Sequence, residues 1–143
     1  MSPAEDWPRV LKTLGALGCL ASVFAPLTDF ILVADTPPFA PLDILTDVDD
    51  GGDLFFAALI GLAFLGPLAG AAHAWLARRP ESLAAGVVEL LAVIYSGWFI
   101  YGFTHIGKPT PFAHAALLAI ALYAAGLAGQ LVRARAARRA RKA

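Results

Sequence analysis

Residues 54–77 read LFFAALIGLAFLGPLAGAAHAWLA, 24 positions without one Asp, Glu, Lys or Arg. At 1.5 Å per helical residue such a run reaches about 36 Å, enough to cross a hydrocarbon core of about 30 Å. Working outward, three more stretches have the same character: 10–34, 83–103 and 112–132. Of the 143 residues, 59% are hydrophobic and 15% charged. Ordinary soluble domains carry about 25% charged residues. Four apolar helices in so short a chain leave almost no polar surface, which excludes a soluble globular domain. The expected fold is an all-α integral membrane protein, a four-transmembrane-helix antiparallel bundle forming one membrane domain over residues 1–143.

The formal net charge is zero, yet the charges are segregated. Acids concentrate in the connection 35–53, which contains Asp43, Asp47, Asp49, Asp50 and Asp53. Bases fall on the other side: Arg9 and Lys12 at the start of the first span, Arg78 and Arg79 between the second and third, and Arg133 to Lys142 after the fourth. Lys and Arg near span ends remain on the cytoplasmic side. The expected topology therefore has both termini inside, an acidic outer loop 35–53 and a basic inner tail 133–143. Trp7 and Trp75 mark the inner interface, Tyr101 and Phe103 the outer one. The tail should continue the fourth helix and meet anionic inner-leaflet lipids. The Ala, Leu, Gly and Arg bias fits a GC-rich bacterium, hence the cytoplasmic membrane of such a cell. The ten residues of the basic run are too few to argue ribosome or nucleic-acid contact, and no nucleic-acid partner is expected.

Cys19 is the lone cysteine, so an internal disulfide and a multi-cysteine metal site are excluded. No nucleophile–base arrangement, phosphate loop or dinucleotide fingerprint is present, and the sequence leans away from an enzyme. Pairing of spans in lipid needs small residues. Gly66 and Gly70 supply a small-x-x-x-small face in the second span, and Gly126 and Gly129 a second set in the fourth. Pro26 and Pro67 should kink the first and second spans.

Ionisable side chains at membrane depth are costly and direct attention to function. His73 near the end of the second span and Glu89 near the start of the third come to similar depth, with Gln130 on the same side. They form the proton- or substrate-site candidate. Asp29 in the outer part of the first span is a further candidate. Its depth depends on whether that helix runs to Ala34 or stops near Leu27. Tyr95, Trp98 and Tyr101 line one side of the third span and could frame a lipid or quinone pocket. His105 and His114 flank the outer turn and are candidate ligands for zinc, copper or haem. The loop Asp47–Asp53 offers irregular calcium ligands, but the twelfth position is Ala58 where a calcium loop needs Glu.

Three functions fit this pattern. The first is a non-catalytic subunit or assembly partner of a larger membrane complex. The second is a small self-associating proton- or ion-coupled transporter using His73 and Glu89. The third is a lipid- or quinone-binding protein with a pocket near Trp98 and Tyr101.

Overall fold

The computed structural model describes residues 6–29, 40–46, 51–76 and 83–140. Four longer helices dominate: α1 (Trp7–Ser22), α3 (Gly51–Leu76), α4 (Leu83–Thr104) and α5 (Pro111–Ala140). A short helix α2 (Pro41–Thr46) precedes α3. α3, α4 and α5 are each long and apolar enough to cross a membrane.

α1 departs from the expected first span. Its 16 residues reach only about 24 Å, and the helix stops at Ser22 instead of continuing to Ala34. The chain then turns through Val23–Ala25 and becomes extended, so Pro26 lies beyond the helix and kinks nothing. Thr28–Asp29 (β1) pairs antiparallel with Lys108–Pro109 (β2) in the α4–α5 connection. The Thr110 N–H donates to the Leu27 carbonyl at 3.2 Å, and the Thr110 hydroxyl to the Pro26 carbonyl at 2.6 Å. The extended segment thus carries the N-terminal arm to the same end of the bundle as the α4–α5 turn.

The helices pack in a closed square, α1 on α5 and α3, and α4 on the same two. Each runs antiparallel to its neighbours in the square. The α1–α5 contact is the closest, and glycine is the reason. A Cβ at Gly15 would fall 2.5 Å from the Ala119 carbonyl oxygen, and one at Gly126 would fall 2.5 Å from that of Pro8 and 2.8 Å from the Lys12 nitrogen. Gly18 meets Ala119, and Trp7 covers Gly129. Gly126 and Gly129 therefore serve internal packing against α1. Gly15 and Gly18 complete the seam from the other side. Gly86 makes the same allowance for Leu131 where α4 meets α5.

α1 sorts its side chains by size and polarity. Its buried stripe is Pro8, Lys12, Gly15, Ala16, Cys19 and Ser22, while Trp7, Val10, Leu14 and Leu17 face outward. Large apolar side chains point away from the protein, and small or polar ones point into it. Phe55, Phe56, Leu62, Val88, Leu91 and Ile94 extend the same outward apolar surface over α3 and α4. Inside, Cys19, Ile60, Phe64, Ile100, Tyr123 and Leu127 form the core. Pro67 is inside α3, and Pro111 is the first residue of α5, where its missing N–H has no helical partner to lose.

Other boundaries also shift. α3 begins at Gly51, which puts Asp53 in its first turn. α5 runs to Ala140, carrying Arg133, Arg135, Arg138 and Arg139 on one continuous helix of about 45 Å. In α2 the Asp43 carboxylate accepts the Ala40 N–H at 2.9 Å, and Leu42, Ile44 and Leu45 pack on the core. Arg78, Arg79, Glu81 and Ser82 lie outside the described residues.

Candidate functional site

Lys12 is wholly buried, with 0% of its side chain exposed. It sits on the small-residue stripe of α1, one turn past Pro8 and one before Gly15 and Ala16, and so points into the bundle. Its ammonium makes an ion pair with the Glu89 carboxylate of α4 and donates to Gln130 Oε1 of α5 at 2.9 Å. It also stands 5.4 Å from the centroid of the Tyr123 ring, within cation–π range.

Glu89 is the hub. Its side chain is 10% exposed, and both oxygens are engaged. Oε2 takes the Lys12 ammonium and accepts the Tyr123 hydroxyl at 3.3 Å. Oε1 lies 3.2 Å from His73 Nδ1 of α3. The carboxylate can only accept, so the imidazole is the donor. All four long helices thus contribute to one polar cluster, whose members stand about 5–9 Å along the helix axes from the ends of α1, α3 and α4 at the basic side of the bundle. His73 is its most exposed member, with 40% of its side chain exposed.

Gly70 makes the cluster possible. A Cβ there would collide with the Tyr123 hydroxyl, and it would lie 3.4 Å from Glu89 Oε2. The Gly66/Gly70 face therefore works inward at Gly70. Gly66 is spacious, its nearest neighbour being a Leu62 methyl at 4.0 Å. Beside it a cavity of about 240 Å³ opens between α3 and α4, walled by Gly66, Pro67, Val88 and Ala92 and reaching Glu89 and Tyr123.

Three of the sequence candidates, His73, Glu89 and Gln130, come together. Lys12 and Tyr123 were not anticipated. Lys12 was legible only as an orientation signal, although its phase with Pro8, Gly15, Cys19 and Ser22 marks the inward face. Tyr123 carried no such sign, because one aromatic in an alanine-rich helix does not announce its partner.

The other candidates are placed elsewhere. The backbone of Asp29 pairs with Lys108 at the opposite end of the bundle; its side chain lies outside the described residues. The Tyr95 hydroxyl donates to the Leu59 carbonyl at 3.0 Å and ties α4 to α3. Trp98 is 71% exposed. Tyr101 stacks on His105 with ring centroids 4.1 Å apart. His105 Nδ1 donates to the Tyr101 carbonyl at 2.8 Å, and His114 Nδ1 to the Thr110 carbonyl at 3.2 Å. Among the described residues no group of three His, Cys, Asp or Glu side chains is placed to hold a metal ion. A zinc or copper site at His105 and His114 thus has no third ligand of those types there. Of the calcium-loop candidate, Asp47–Asp50 lie outside the described residues, and Gly51–Asp53 are the first turn of α3.

Comparison with protein-family models, with curated proteins and with solved structures finds no match for this chain.

Proposed function

We propose that this chain is a four-pass protein of a bacterial cytoplasmic membrane, with both termini inside, that serves as a non-catalytic subunit or assembly partner of a larger membrane complex. α1 with its extended arm makes the fourth pass, and the basic end of α5 meets anionic inner-leaflet lipids. One observation carries the reading. Among the described residues, Lys12 and Glu89 inside the bundle are answered within the chain, by each other and by Gln130, Tyr123 and His73. A fully partnered buried pair fixes the mutual register of helices. The outward faces of α3 and α4, with Phe55, Leu62, Val88 and Leu91 exposed, remain for neighbours. Native mass spectrometry of the particle extracted from its own membrane tests this. Foreign subunits on the particle support the assembly role, whereas a chain that always emerges by itself overturns it.

A second reading, a self-associating proton- or ion-coupled transporter, draws on the cavity beside Glu89 and on the partial exposure of His73. Proton exchange along His73 and Glu89 would need the Lys12 contact to open. Replacing both members, Lys12→Met with Glu89→Leu, separates the two: it removes the titratable carboxylate and abolishes transport, but strands no buried charge and leaves the assembly of a subunit nearly intact.

A further inference from the structure

On the side of the bundle away from the charge cluster, α3 and α4 leave a groove of about 550 Å³, walled by Phe56, Leu59, Tyr95, Trp98 and Phe103 and closed at one end by Ile44 of α2. We infer that this groove holds one acyl chain of an outer-leaflet phospholipid as a resident ligand, an inference that rests on the membrane placement proposed above.

Three features converge on that occupant. The first is length. Along α4 the groove runs from Tyr95, near the middle of the helix, to Ile106 just past its outer end. The helical part, Tyr95 to Thr104, rises about 14 Å in nine steps of 1.5 Å, and the turn at Ile106 lies past it, close to the half-thickness of a hydrocarbon core of about 30 Å. The second is chemistry. The lining is hydrocarbon apart from Tyr95 and Trp98; the Tyr95 hydroxyl is spent on the Leu59 carbonyl, so the walls suit an acyl chain, with the Trp98 indole N–H as their remaining side-chain donor. The third is shape. Gly102 lies in the lining, and a Cβ there would meet nothing within 4 Å; the absent side chain leaves the floor clear. α2 is held over the outer end by the Leu42 N–H, which donates to the Val23 carbonyl at 3.0 Å. A groove of this volume is in the range of small-ligand sites. A chain entering sideways from the leaflet fills it while its headgroup remains at the level of Ile106 and Lys108.

The test compares wild type with Gly102→Phe, which fills the groove, and Gly61→Phe, which places the same ring where nothing stands within 4 Å and which lies outside the groove lining. Each protein is stripped of lipid in detergent and titrated with palmitoyl-oleoyl phosphatidylethanolamine, with bound lipid counted by native mass spectrometry. The expected result is one tightly held lipid on wild type and Gly61→Phe, and at least tenfold weaker binding by Gly102→Phe. Equal binding by all three overturns the inference, as does a dimer that Gly102→Phe disrupts, because a second copy would then be the occupant. A second measurement leaves the groove unaltered. With Trp7 and Trp75 replaced by Phe, chain-brominated phospholipid should quench Trp98 saturably; quenching that only tracks bulk lipid content also overturns it. Alkaline extraction of membranes reports separately on embedding, so failure of the membrane reading is recognised for what it is.

Discussion

Removing Glu89 should be among the most damaging single changes in this protein, and the structure says why. Glu89→Leu deletes the partner of a fully buried ammonium along with acceptors for Tyr123 and His73. Lys12 is left with Gln130 and the Tyr123 ring. Breaking a buried ion pair by removing one member costs about 3–5 kcal/mol. For a chain of this size that corresponds to a fall in melting temperature on the order of 10 °C. Lys12→Met should cost less, about 2–3 kcal/mol, because the carboxylate keeps His73 and Tyr123. The double variant replaces the pair by apolar side chains and should lie within about 1 kcal/mol of wild type. The coupling energy of the cycle is then at least about 4 kcal/mol, a factor of nearly 1,000 in the unfolding constant. Reversible unfolding in mixed micelles, followed by tryptophan fluorescence, reads all four proteins. Single-variant costs that add to within about 0.5 kcal/mol would refute the reasoning, since two groups in direct contact at that depth cannot act independently.

Gly70→Ala should destabilise by about 1–3 kcal/mol, because its methyl lands on the Tyr123 hydroxyl; Gly61→Ala, in open space, should stabilise by about 0.5–1 kcal/mol through helix propensity. The pair measured side by side in the same unfolding assay decides whether the α3 glycines serve the charge cluster or merely the helix. Gly15→Leu should pry α1 from α5, since even a Cβ falls 2.5 Å from the Ala119 carbonyl oxygen; protease added at the basic side should then cut within α1 while α3–α5 stay protected. Tyr95→Phe, losing the bond to the Leu59 carbonyl, should cost about 0.5–1.5 kcal/mol without changing helix content by circular dichroism.

The sequence by itself determined the membrane character, the limits of α3 and α4 to within a few residues, and the proximity of His73, Glu89 and Gln130. All three follow from one-dimensional quantities: the length of an apolar run, the breaks between runs, and the depth at which a polar residue stands from the nearest break. A short connection makes depth transferable from one helix to the next, which is why His73 could be set against Glu89 without coordinates. Tertiary structure alone decided what depth cannot encode. The end of α1 at Ser22 is invisible to hydropathy, because Phe30–Val33 continue the apolar pattern; the extended chain from Pro26 to Asp29 is held instead by Lys108–Thr110, some eighty residues away. Lys12 reads equally well as an orientation signal at a span end, and only the rotation of α1 against α5, set by Gly15 and Gly126, turns it inward to Glu89. Composition and spacing measure position along a helix axis. Which way a side chain faces around that axis depends on what the other helices leave room for.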